Sequence, residues 1–156
     1  MPRLDRLPEI NRNTLLTFPA PVNETAPCTP VRKPLAECRV ALVTTAGLHL
    51  RGDKPFVPGD PSYRVIPMIS EQGDILQSHS SIGFDRVPVQ QDLNVTLPLD
   101  RFRELLEQKA IGSLASNAYS FMGAQRDAGR IEQETGPEVA RLLLDDGVDA
   151  VFMTPT

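Results

Sequence analysis

Two apolar strands and an amphipathic helix constrain this chain most tightly. Val40-Ala41-Leu42-Val43-Thr44-Thr45 is nearly continuous in apolar and β-branched residues, with no charge interleaved. A strand with one wet face alternates, whereas one covered on both faces does not, so this run predicts a buried parallel strand. Farther along, Val139, Leu142 and Leu143 recur at helical spacing, and a second apolar strand, Val148 to Met153, follows directly. Thr135 and Glu138 are spaced as a capping box, Pro137 suits a first helical turn, and Gly147 suits the residue that ends the helix. Strand, helix, strand in this order predicts a layered α/β domain with a mainly parallel sheet, of Rossmann or flavodoxin-like type. The last strand is expected at the centre of that sheet. With no helix after it, the domain is expected to be incomplete, with one apolar face partly uncovered.

The intervening segments are less regular. Asn94-Val95-Thr96-Leu97 predicts a short strand, and Asp100 an N-cap for a helix to about Lys109, with Phe102, Leu105, Leu106 and Ala110 inward. Residues 48–91 are polar and broken by glycine and proline, with a short strand at Tyr63-Arg64-Val65-Ile66; a connection of that length is often functional. Tyr119 to Arg126 suits a turn packed on the sheet edge, or alternatively the lining of a substrate pocket. Residues 1–37 contain Pro2, Pro8, Pro19, Pro21, Pro27, Pro30 and Pro34, which predicts an extended arm ahead of an α/β domain at 38–156. The run Asn13 to Phe18 is a candidate anchor for the arm. An arm of this length hints at an oligomer.

Composition removes several classes of function. At 156 residues and a formal net charge of -4, the chain suits one domain and lacks the basic surface that nucleic acids require. No run of about 18 apolar residues is present and no signal core follows the N-terminus, so no membrane span is expected and a cytoplasmic location is. Cys28 and Cys38 are too few for a disulfide scaffold, one expected semi-exposed and the other half-buried. With His49 and His79 the only histidines, no metal site is expected. The glycines form neither a dinucleotide fingerprint nor a phosphate-binding loop.

In open α/β sheets, ligands bind beyond the carboxyl ends of the strands. Thr44, Thr45, His49 and Arg51 lie at or past the first strand end, and Thr154 at the last. These are candidate substrate-binding residues, expected to converge with His79 at one edge of a sheet whose first and last strands run parallel. Within Gln77 to Arg86, His79 is a candidate general acid or base, and an arginine such as Arg86 could clamp a carboxylate bidentately.

The segments Lys33 to Arg51, Gly59 to Pro67, Ser78-His79, Asp92-Leu93-Asn94, Pro98 to Arg101, Tyr119 to Gly123 and Thr154-Pro155 occur in an order that resembles the selenoprotein B subunits of the glycine/sarcosine/betaine/D-proline reductases. The resemblance spans roughly residues 32–156. It implies a reductase that cleaves a carbon–nitrogen bond next to a carboxylate, with a selenolate or thiolate as nucleophile and dithiols, of thioredoxin-like type, as electron donors. It also places a selenocysteine or cysteine directly after the Thr-Pro strand end, so the chain is expected to be the front part of a longer subunit, cut at a recoded stop codon. No cofactor is expected within this chain. The resemblance implies companion subunits, one of them carrying a pyruvoyl group in some members, or a homo-oligomer. The alternative is a short, non-catalytic α/β protein that binds a small carboxylate or a partner subunit.

Overall fold

The buried apolar run forms strand β1 (Arg39–Thr44), from which the rest of the sheet is laid out. The computed structural model describes residues 3–17, 24–25, 29–81 and 83–155. Six further strands follow: β2 (Leu48–Leu50), β3 (Tyr63–Pro67), β4 (Ile75–Gln77), β5 (Ser113–Leu114), β6 (Asn117–Phe121) and β7 (Ala150–Thr154). The helices are α1 (Glu9–Leu16), α2 (Val87–Gln91), α3 (Leu99–Glu107) and α4 (Gly136–Asp145), the last entered through a π-helical turn at Ile131–Thr135. Contacts divide the chain into two compact units, Met1–Pro30 and Val31–Thr156.

In the larger unit, β5 and β6 lie in succession along one edge of β1, both parallel to it, while β7 runs parallel along the other edge. Beyond β6, β3 is antiparallel. The sheet is therefore mixed and mainly parallel. Alternation along β1 separates two cores. Val40 and Leu42 pack with Ile66, Ala118, Leu97, Leu99 and Phe102, so that α3 covers one face. Val43 packs with Tyr119, Phe121 and Val139, and α4 covers the other. This is the layered α/β architecture the sequence predicts, and β1 is buried on both sides as its composition requires.

Several expectations fail, each for a local reason. β7 pairs with β1 alone and is an edge strand, not a central one; Val151, Phe152 and Met153 are exposed. Asn94 to Leu97 is not a strand. Asp92 caps a 3₁₀ turn at Leu93–Val95 by accepting from Asn94 N–H, a local bond that competes with extended structure. Asp100 lies inside the first turn of α3, with its N–H donated to Asn94 Oδ1. The capping box does not form, because Thr135 Oγ1 donates to Pro61 O and the backbone is already helical before it. Leu106 and Leu142 are each 37% exposed, outside the apolar stripes predicted for them.

Within residues 48–91, β2 and β4 pair as a two-stranded antiparallel sheet, β3 between them in sequence joins the main sheet, and α2 follows. Tyr119 is not in an edge turn but inside β6, between β1 and β3. Cys38 is fully buried rather than half so, donating to Pro34 O, whereas Cys28 and Phe18 lie outside the described residues. The smaller unit carries α1, so its described residues are not simply an extended arm; no residue of α1 is buried.

Both long helices end in the same device. After α4, Gly147 has φ +69°, Gly147 N–H reaches Leu144 O, and Val148 N–H reaches Leu143 O. This paired closure satisfies carbonyls the helix leaves open. After α3, Lys109 N–H and Ala110 N–H bond Leu106 O and Leu105 O in the same way, but φ +58° falls on a lysine. A side chain in the left-handed region is strained, so Lys109→Gly is expected to raise stability by about 0.5–1 kcal/mol. Urea unfolding checks this; a midpoint below wild type would contradict it.

Candidate functional site

The carboxyl ends of β1 and β7 are joined side by side, with Thr44 opposite Thr154. Thr44 Oγ1 donates to Thr154 O at 3.3 Å and accepts from Ala46 N–H at 3.2 Å. Thr45 N–H also donates to Thr154 O, at 3.2 Å. Thr154 Oγ1 donates to Thr96 O at 2.6 Å. Thr44, Thr45 and Thr154 thus meet at one strand edge, and the first and last strands are parallel. The Thr44 hydroxyl is 1% exposed as a residue and committed on both sides, so what it does there is hold the two strand ends in register.

His79 is brought to the same end of β1 by the turn at Gly47. Gly47 has φ +64°, its N–H donates to Phe121 O, and its carbonyl accepts from Ser78 N–H. A Cβ at this position would lie 3.1 Å from His79 N and 3.2 Å from His79 Cα, so only glycine permits the approach. His79 is 2% exposed, its ring 4.6 Å from that of Phe84. Nδ1 accepts from Ser81 N–H at 3.2 Å, which leaves the proton of a neutral ring on Nε2. That Nε2 is buried without a partner. Burial, and then the charge of Arg86, push the imidazole below its ordinary pKa. At neutral pH His79 is an uncharged donor, not a ready proton source.

Beyond the carboxyl end of β6 opens a cavity of about 700 Å³, bordered by Ser80, Ser81, Gly59, Ala124 and Arg126. Ala124 has φ +54°, a conformation uncommon for a residue with a Cβ and one that clusters at functional turns. Arg126 has no ion-pair or hydrogen-bond partner among the described residues. Of the two readings the sequence left open for Tyr119 to Arg126, Ala124, Gln125 and Arg126 fit the lining of a pocket, whereas Ser80, Ser81 and Gly59 were not singled out.

The remaining candidates stand on β2 and just after it. His49 is 4% exposed, with Nδ1 2.8 Å from Leu50 O. Arg51 is exposed and donates to Gly73 O at 2.9 Å, in the turn that precedes β4. No hydrogen bond or ion pair among the described residues joins either of them to the threonine edge; β2 pairs antiparallel with β4 rather than joining the main sheet, which a reading of strand-end proximity cannot register. Among the described residues there is no group of three or more His, Cys, Asp or Glu that could hold a metal ion. No helix among the described residues is long and apolar enough to cross a membrane.

Residues 4–156 match the family model for glycine/sarcosine/betaine reductase selenoprotein B. The chain belongs to this family. Among selenoprotein B relatives, the D-proline reductase subunit gamma of Acetoanaerobium sticklandii is 44% identical over 127 residues, covering 81% of this chain and 52% of that one. The sarcosine reductase complex component B subunit beta of Peptoclostridium acidaminophilum is 30% identical over 143 residues, 89% of this chain and 33% of its own. The glycine reductase complex component B subunit gamma of Carboxydothermus hydrogenoformans is 27% identical over 149 residues, 92% of this chain and 34% of its own. The chain therefore spans about half the length of the first relative and about a third of the other two. These selenoprotein B relatives are named as subunits of reductases or of reductase complexes. No solved structure matches the chain significantly.

Proposed function

We propose that this chain is the amino-terminal part of a selenol- or thiol-dependent reductase subunit that cleaves a carbon–nitrogen bond α to a carboxylate. The parallel closure of β1 on β7 carries the reading, because it sets Thr44, Thr45 and Thr154 at the strand edge where α/β proteins place their chemistry. D-proline is the first substrate to test, given the 44% identity to a D-proline reductase subunit. The nucleophile would stand directly after Thr156. A low-pKa chalcogen there would be largely deprotonated near neutrality and strongly nucleophilic. Attack on the α-carbon would break the carbon–nitrogen bond as the carbon–chalcogen bond forms, the nitrogen taking up one proton. A dithiol thiolate would then take the chalcogen from the carbon, which takes up the second proton, and the second thiol would close the disulfide and free the nucleophile.

This chain's own residues would then do two things. The threonine edge holds the strand end from which the nucleophile projects. The His79 Nε2–H, buried and without a partner, is a donor for a polar atom of the bound substrate. Companion reductase subunits and a dithiol donor protein belong to the same proposal, as does a selenocysteine or cysteine after Thr156.

The test has two parts. The coding sequence beyond Thr156 should specify selenocysteine or cysteine in frame, followed by a helix with a further cysteine in its first turn. A frame that does not continue, or continues without such a residue, overturns the reading. In the full-length subunit, His79→Ala, which removes a hydrogen-bond donor to the substrate, should lower the turnover of D-proline with a dithiol by about a hundredfold. Unchanged turnover would remove His79 from the site.

A further inference from the structure

The sheet face under α4 is not fully covered. Beside the helix runs a groove of about 470 Å³, floored by Val43 of β1 and by Val151 and Met153 of β7. Apart from Thr45 and Gln125, every residue lining it is apolar or glycine, so it suits an apolar surface and not a polar small molecule. Register explains the floor. Val151 stands opposite Ala41 and Met153 opposite Val43, and side chains alternate between the two faces along each strand. Phe152, pointing the other way, already meets Phe102 of α3. Val151 and Met153 are left 41% and 65% exposed.

The wall that α4 presents to the groove suits a second helix. Gly136, Ala140 and Leu143, spaced four and three residues apart, lie on one side of α4 and all line the groove. Two small residues one turn apart let another helix pack at short interaxial distance.

Chain direction says which helix. Strand β6 leads through α4 to β7, stepping across β1 on this face. A crossover from β7 to a parallel strand on its open edge steps the same way. Such crossovers are right-handed, so successive ones stepping in one direction put their helices on the same face. The helix after β7 therefore belongs beside α4, over Val151 and Met153. The entry to the groove is apolar too: Thr154 and Pro155 border a smaller pocket that shares Val43, Thr45 and Met153 with it. Subunits of the family have chain to spare for this, since the matched portion is 52% of one relative and 33% of another.

We propose that the segment following Thr156 in the longer subunit folds as a helix in this groove, starting at the Thr154 end and running antiparallel to β7. Met153 and Val151, about 6.6 Å apart along the strand, then meet apolar positions four residues apart, about 6 Å along a helix. A selenolate or thiolate directly after Thr156 stands at the start of that helix, where unpaired N–H groups favour an anion. Only the continuation of the subunit past Thr156 is taken from the proposed function; the groove and its floor are independent of it.

The test labels the methionine and isoleucine methyl groups of the full-length subunit with ¹³C and adds a soluble nitroxide, which broadens exposed signals. Exposed Ile69 is the broadened reference and buried Met122 the protected one. Met153 should stay as sharp as Met122 at every protein concentration, with NOEs from its methyl to residues beyond Thr156. A Met153 signal broadened like that of Ile69 overturns the proposal. So does protection that appears only at high concentration, which would mark a second copy, or only when a companion subunit is added. Val151→Lys with Met153→Lys should lower the urea midpoint of the full-length subunit by about 1 M, and an unchanged midpoint counts against the helix. If Met153 is protected and no selenocysteine or cysteine follows Thr156, the docked helix stands and the reductase reading falls. If that residue is present and Met153 is broadened, the reverse holds. A reading frame that ends at Thr156 overturns both.

Discussion

Arg64→Ala is expected to destabilise the protein by about 1–3 kcal/mol, the cost of leaving the partners of a partly buried charged network without their donor. Arg64 and Asp60 meet at 3.2 Å with only 12% of each side chain exposed. Arg64 also donates to Lys54 O, Ser62 Oγ and Tyr63 O, and its guanidinium lies 4.2 Å over the Phe56 ring. One residue thereby ties the loop of residues 54–62 to the start of β3. Gln125 donates to Asp60 O, so the turn after β6 depends on the same node. Lysine cannot reproduce the forked contacts, and Arg64→Lys should fall between the two. Urea unfolding with an alanine cost below about 1 kcal/mol would remove the network as a stabiliser.

The same node gives a pH dependence with a definite sign. Burial opposes ionisation of Asp60, but hydrogen bonds from the Ser62 hydroxyl and N–H and from Arg64 outweigh it, holding the carboxyl below its usual range. A carboxyl with a depressed folded pKa contributes stability above its unfolded value of about 3.9, and that contribution fades as pH falls through the folded value. Wild type should therefore lose stability on acidification below about pH 4. Arg64→Ala should lose less over the same interval, part of the contribution being already gone.

The second large effect concerns β7. The 156-residue chain is expected to self-associate in sedimentation experiments, because β7 offers an unpaired backbone edge with Val151, Phe152 and Met153 all exposed. Such an edge is a template for further strand pairing, and a contiguous apolar patch reinforces it. The two faces of β7 differ. Phe152 already packs against Phe102 of α3, ring centroids 5.2 Å apart, whereas Val151 and Met153 border an open apolar groove beside α4. Placing charge on the open face, as Val151→Lys with Met153→Lys, should restore a monomer without disturbing the Phe102 contact. A monodisperse wild-type monomer would show that the edge is not sticky.

What could be read from the chain alone followed from local and periodic rules. The unbroken apolar run of β1 announced burial on both faces, the 3.6-residue spacing announced α3 and α4, and Gly147 marked a helix end because no other residue fits φ +69° without strain. The parallel direction of the first and last strands was also within reach, since apolar strands alternating with helices build a parallel sheet, but their direct pairing, Thr44 opposite Thr154, was not. Tertiary structure alone decided the rest. Whether His49 and Arg51 stay near β1 depends on which segment β2 pairs with, and β4 lies some 25 positions away with little periodic signal of its own. Asp92 and Asn94 could form a strand or a turn from composition, and the side-chain cap chose the turn. The edge position of β7 follows from its having β1 as its sole partner, a fact of pairing that an apolar sequence does not encode. Arg126, which lines the cavity beyond β6 without an ion-pair partner among the described residues, and His79, with an idle buried ring nitrogen, are defined by what stands around them, and that surrounding exists only in the folded chain.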